Sequence, residues 1–218
     1  MSPTSDLTLV IGNKNYSSWS LRPWLALHQL AVPFTEIRLP LDTPEFHAQI
    51  ERYSPSRRVP VLRHGDLVIW ESLAICEYVA ELFPDRPWYP ADRQARAIAR
   101  AVSHEMHAGF AKLRTHMPMD MRSRYPGEGR APGVQTDIDR ITALWRECRS
   151  TYGSHGDFLF GAFGIADAMY APVVTRFVTY GVALDPVCQG YADAVWALPS
   201  LQTWLEAAQQ ETEVINHA

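Results

Sequence analysis

Three serines in four positions, Ser17, Ser18 and Ser20, lie in the segment NKNYSSWSLRPWLAL at 13–27. It joins a compact apolar run at 7–11 to a stretch of helical spacing at 22–30, and strand-to-helix junctions are where ligands bind in α/β folds. A serine hydroxyl there can donate a hydrogen bond to an anion, and Tyr16 beside it offers a phenolic one. Pro23 suits the first turn of a helix, where an N–H has no partner. On that reading Ser20 is the N-cap, and the Ser17 and Ser18 hydroxyls are left free. The three serines read equally as plain turn and cap residues. In Ser54-Pro-Ser-Arg-Arg-Val-Pro60, a cis Val59–Pro60 bond would turn the Val59 backbone outward to pair with an extended ligand; Pro60 can also simply open an edge strand. In Trp70-Glu71-Ser72, Ser72 is a good N-cap, the free N–H groups of a helix start bind carboxylates, and Glu71 can receive an ammonium group. Alone, that pair is an ordinary helix cap. Together, an amine holder, a carboxylate holder, an exposed backbone edge and a hydroxyl suit a short peptide.

The elements that must position these residues alternate in type over the first 83 residues. Strands are predicted at 7–11, 34–39, 59–63 and 67–70, the last two as a hairpin around His64-Gly65-Asp66. Helical spacing occupies 22–30, weakly 43–52, and 72–83, where Leu73, Cys76, Val79, Ala80 and Phe83 share a face. The order β-α-β-α-β-β-α describes a small α/β domain. Three prolines within 84–90 mark a linker, assigned here to 84–91. From 92 to 218 every long segment is helical: one long helix from Asp92 to about Met121, then 136–152, 165–180, 190–196 and 200–210, with a Pro/Gly loop at 125–135.

Other chemistry is excluded by motif and composition. The 218 residues are 47% hydrophobic and 20% charged, with 20 basic against 24 acidic side chains and a net charge of −4. That composition is globular, and the charge argues against a nucleic-acid partner. Lys14 and Lys112 are the only lysines, so nearly all the positive charge is arginine. There is no GxSxG elbow and no phosphate-binding P-loop, and the glycines at 127–133 do not follow a strand. His104 and His107 are three apart rather than the four of a zinc-binding HExxH helix, so no metal is expected. No run is apolar enough to span a membrane, and the first residues lack the pattern of a secretion signal. With Cys76, Cys148 and Cys188 far apart and odd in number, a reducing cytoplasm is expected.

The combination resembles the glutathione transferase superfamily over nearly the whole chain. Ser17-Ser18-Trp19-Ser20-Leu21-Arg22 is similar to the SSCxxR motif of the zeta class. Val59-Pro60-Val61-Leu62 is similar to the family's cis-proline segment, Glu71-Ser72-Leu73-Ala74-Ile75 to its γ-glutamyl-binding segment, and Ile165-Ala166-Asp167 to its helix-capping box. The resemblance implies a thioredoxin-like first domain, an all-helical second one, a homodimer, and glutathione as co-substrate with a small, apolar electrophile. It places Ser17 against the glutathione sulfur, with Ser18 and Tyr16 as other donors, Arg58 and Val59 along the tripeptide, and Glu71 with Ser72 at its γ-glutamyl end. A free thiol is only about 3% thiolate at pH 7. One hydrogen bond to the thiolate, worth roughly 1.5–3 kcal/mol, lowers the thiol by about one to two pKa units. The serine thus stabilises an anion and attacks nothing.

For the second substrate the resemblance points to His107, Phe110 and Arg114 on one face of the long helix, with Met106, Met117 and Met119 nearby, and to Arg176. The zeta-class arginine for an acidic substrate stands seven residues after a proline, whereas Arg176 stands four after Pro172. Trp19 replaces the cysteine of the zeta motif, which removes mixed-disulfide chemistry, and Gly164 replaces the capping Ser or Thr. Glutathione-dependent cis-trans isomerisation of the maleylacetoacetate type, peroxide reduction, and a noncatalytic interaction module are the alternatives.

Overall fold

Alternation along the first strand decides the layering. The computed structural model describes residues 6–215. In β1 (Leu7–Ile11), Leu7, Leu9 and Ile11 face the main core, while Val10 turns to a smaller one with Leu39, Phe46, Ile50 and Val61. This period of two is what a strand buried on both faces requires. The sheet has the order β2-β1-β3-β4, with β2 (Thr35–Arg38) parallel to β1. β3 (Val61–His64) runs antiparallel to both β1 and β4 (Leu67–Trp70). Helices α1 (Ser18–Gln29) and α3 (Ser72–Leu82) cover the main-core face, and α2 (Pro44–Ile50) the other. This is the thioredoxin-like arrangement, followed among the described residues by six helices: α4 (Arg93–Ala108), α5 (Ala111–His116), α6 (Val134–Tyr152), α7 (Ile165–Tyr180), α8 (Pro186–Trp196) and α9 (Pro199–Gln209).

The main core does not stop between the two parts. α7 is buried almost all round and packs against α1, α4 and α8, so β1, α1 and α7 share one apolar interior. Asp167 anchors its start: Oδ2 accepts the Gly164 N–H at 2.9 Å and Oδ1 the Leu159 N–H at 3.0 Å. Burial pushes this carboxyl up from 3.8 to about 6. No helix among the described residues is long and apolar enough to cross a membrane.

Several local expectations need correction. The predicted long helix breaks after Ala108, where Gly109 is extended (φ −98°, ψ −167°) and Phe110 left-handed (φ 58°, ψ 41°). Phe110 is buried, and packing of its ring accompanies the unfavourable backbone. His107 and Arg114 therefore lie on different helices, not on one face. Ser17, not Ser20, is the N-cap of α1, so Pro23 falls inside the helix. Glu71, left-handed at φ 71°, precedes α3, which makes Ser72 its first helical residue rather than its cap. α8 begins earlier than its apolar spacing suggested, because Asp185 Oδ1 accepts the Val187 and Cys188 N–H groups.

Candidate active site

Strand register alone brings the three candidate segments to one end of the sheet. Val10 pairs with Val61, and Val61 with Trp70. One residue further along each strand lie Ile11, Pro60 and Glu71, so the turn after β1, the Val59–Pro60 bond and the start of α3 are neighbours. The Val59–Pro60 bond is cis. Arg58 is exposed beside it, with its N–H 3.4 Å from Ser54 Oγ, and Val59 is half-buried.

The serines are wired to different partners. Ser17 Oγ donates to Ser20 Oγ at 2.7 Å, and Ser20 Oγ also accepts the Gly12 N–H at 3.1 Å. Ser20, which read as a cap, is thus the partner of the candidate donor. If the Ser17 hydrogen turns to an anion, the Ser20 hydroxyl can donate to the oxygen left behind, and such chains polarise one another. Ser17 also stands at the positive end of α1, where first-turn N–H groups lack helical partners. Ser18 Oγ accepts from Arg176 Nη2 at 3.2 Å. Tyr16 turns its hydroxyl to Arg122, accepting from Nη2 at 3.0 Å.

Around Trp19 the charge is lopsided. The guanidinium of Arg22 stands 4.1 Å from the Trp19 ring centroid and that of Arg114 5.3 Å. Arg22 is fully buried, and none of its side-chain nitrogens has a hydrogen-bond partner among the described residues. Burial, then Arg176 and Arg114, lower it to about 9. Arg176 is buried too, donating to the Met117 and Pro172 carbonyls as well as to Ser18. Burial and Arg114 lower it to about 10. Arg114 is half-buried and donates to the His107 carbonyl at 3.1 Å. None of the three forms an ion pair among the described residues.

His107 closes the group. Its ring meets Trp19 edge-on at 5.2 Å between centroids, and its Nε2 lies 3.4 Å from Glu71 Oε2. Burial first, then Arg22, hold it below the usual histidine range, so it is neutral at pH 7. His104 faces away, into a cavity of about 1150 Å³ between α3, the linker and α4 that none of the candidate residues lines. Among the described residues no three His, Cys, Asp or Glu side chains are placed to hold a metal ion. Ser72 Oγ is buried without a partner among the described residues at the start of α3.

Met106, Met117 and Met119 are core residues, as is Phe110. Arg176 reaches the site only through Ser18. What stands around the Trp19 ring is cationic and aromatic: Arg22, Arg114 and His107. Arg22 and Ser20 were missed because a motif reading treats one as part of a signature and the other as a cap. The clue to Arg22 was its place three residues after Trp19, one turn along a helix.

Residues 16–82 match the model of the glutathione S-transferase N-terminal domain, and 95–207 that of the C-terminal domain. The chain belongs to the glutathione S-transferase family. It is 37% identical over 193 residues to glutathione S-transferase 1 of Dianthus caryophyllus, covering 84% of this chain and 82% of that one. To maleylacetoacetate isomerase of Rattus norvegicus it is 30% identical over 173 residues, 78% of this chain and 77% of the relative. A glutathione transferase homolog from Burkholderia GL BGR1, solved with bound glutathione, superposes with a TM-score of 0.73 at 24% identity, covering 95% of this chain and all of that one.

Proposed function

We propose that this transferase holds the glutathione thiolate with the Ser17 hydroxyl and directs it at a small electrophile that carries carboxylates. The observation that carries the second half is the group of three arginines, Arg22 and Arg114 over Trp19 and Arg176 on Ser18, with no ion pair among the described residues. Such a cluster raises the local concentration of anions and favours the thiolate over the thiol. Arg58 and the Val59 backbone hold the tripeptide, Glu71 its ammonium group, and Ser72 with the N–H groups of α3 its γ-glutamyl carboxylate. The first 83 residues serve glutathione, 84–91 link, and 92–218 choose the partner.

The same cationic wall favours one particular reaction, cis-trans isomerisation of a carboxylated enone, and the maleylacetoacetate isomerase relatives support it. The thiolate adds to the double bond, the remaining single bond rotates, and the thiolate leaves; glutathione emerges unchanged. In conjugation the sulfur displaces a leaving group and remains attached. We place the protein in the cytoplasm as a homodimer, a reading supported by three buried, unpaired cysteines and by the family.

Two measurements test this. Retention on immobilised glutathione is expected, and failure to bind removes both enzymatic readings. Turnover of maleylacetone well above that of a neutral chloronitrobenzene is the expected preference, and the reverse order refutes the carboxylate assignment.

A further inference from the structure

The turn that presents Ser17 is gripped by a residue from the far end of the described chain. After α9 the segment 211–215 returns to the first domain, and Glu211 inserts its side chain, only 6% exposed, beneath the turn 13–16. Its Oε1 accepts the Lys14 N–H at 2.7 Å and its Oε2 the Asn15 N–H at 3.0 Å. These are two consecutive backbone donors taken by one carboxylate, and hydrogen bonds to a charged acceptor are the stronger kind. The turn is one unit with the serine: the Asn13 carbonyl accepts the N–H groups of Tyr16 at 3.2 Å and Ser17 at 2.8 Å. A shift of Lys14 and Asn15 therefore moves the backbone from which the Ser17 hydroxyl projects.

The rest of the grip comes from the helical part as well. Trp204 Nε1 donates to the Lys14 carbonyl at 2.8 Å, and the Asn15 side chain donates to Asp120 and accepts from the Arg122 N–H, both at 2.9 Å. Arg122 in turn holds the segment itself, donating to the Glu211 carbonyl and, at 2.8 Å, to that of Glu213. A salt bridge of 2.9 Å from Arg38 to Glu213 ties the same segment to β2. Among these groups Glu211 alone meets the turn with an ionised side chain on two of its N–H donors.

We propose that Glu211 is a positioning residue for the thiolate donor. Its carboxylate fixes the turn 13–16 so that the Ser17 hydroxyl sits where it meets the glutathione sulfur. The proposal rests on Ser17 as that donor. Glu211 touches no reacting atom; it acts through the backbone, and hydrogen-bond strength to an anion falls steeply once the donor is misdirected.

The test reads the bound glutathione thiol by thiolate absorbance against pH in the wild type, Ser17→Ala, Glu211→Ala, Glu211→Gln and Glu213→Ala. Circular dichroism verifies folding, and hydrogen exchange reads the Lys14 and Asn15 amides. Expected in Glu211→Ala is exchange at those amides faster by about tenfold or more, with a thiol pKa raised by about half to one unit, part of the Ser17→Ala shift. Glu211→Gln, which keeps one acceptor oxygen, should fall between, and serves alone if the alanine variant does not fold. Glu213→Ala, which breaks only the tie to Arg38, should leave the thiol unchanged. A folded Glu211 variant with lost amide protection and an unchanged thiol overturns the proposal while Ser17 stands. An unchanged thiol in Ser17→Ala refutes Ser17 as donor, and the proposal falls with it.

Discussion

Replacing Arg22 by methionine should make the protein more stable and its glutathione less reactive. Arg22 is fully buried and lacks a hydrogen-bond partner among the described residues, with Arg176 and Arg114 adding repulsion. A fall from 12.5 to about 9 corresponds to an electrostatic penalty of roughly 4–5 kcal/mol for keeping the charge in place. Methionine fills much of the same volume without that penalty. It gives up the contact with Trp19, which is worth about 0.5–2 kcal/mol. Exchanging buried charges for well-packed apolar groups is often neutral or stabilising by about 1–4 kcal/mol, and that is the expected gain in urea denaturation. The catalytic cost follows from distance. Ser17 and Arg22 are five residue steps apart along α1, a rise of about 7.5 Å, so the charge contributes on the order of 2 kcal/mol at an effective dielectric of about 20. Its loss should raise the bound thiol by about one and a half pKa units. A variant destabilised by more than about 1 kcal/mol with an unchanged thiol would refute the reasoning, because Arg22 would then be a structural partner and no source of field.

Two further outcomes are expected. Because burial raises Asp167 to about 6, the folded chain between about pH 4 and 6 holds a proton that the unfolded chain has released, so this residue's contribution to stability falls as pH rises through that window. Urea midpoints at several pH values should show that fall in the wild type relative to Asp167→Asn; a relative rise contradicts it. Arg114→Ala should lower maleylacetone turnover by about tenfold or more beyond its loss on chloronitrobenzene, the worth of one charge-assisted hydrogen bond to the substrate carboxylate. Equal losses on both substrates would make Arg114 a structural residue.

How much of this was legible in the sequence depended on whether the deciding interaction was local. β1, β4 and α7 could be bounded from patterning because each is held by its own alternation or spacing, and Asp92 announced the start of α4, where its Oδ1 accepts the Ala95 N–H at 2.8 Å. The break at Gly109 was missed although glycine marked it, since apolar spacing resumes at Leu113 on α5 and reads as one helix. Ser20 was misplaced because Pro23 suggested a helix start, while the residue that claims Ser20 Oγ is Gly12, across the turn. Arg22 was visible as an arginine but not as a buried one, since its burial depends on the packing of α1 against α3 and α7. Glu211 carried no signal at all: its partners, Lys14 and Asn15, lie nearly the whole chain away.

The account turns on the Ser17 hydroxyl, and the absorbance of enzyme-bound glutathione thiolate against pH tests it most directly. In the wild type the thiol should titrate well below its free value near 8.5, and Ser17→Ala should raise it by about one to two units. A Ser17→Ala protein that binds glutathione and titrates as the wild type does would contradict the account, and would move the donor to Ser18 or Tyr16.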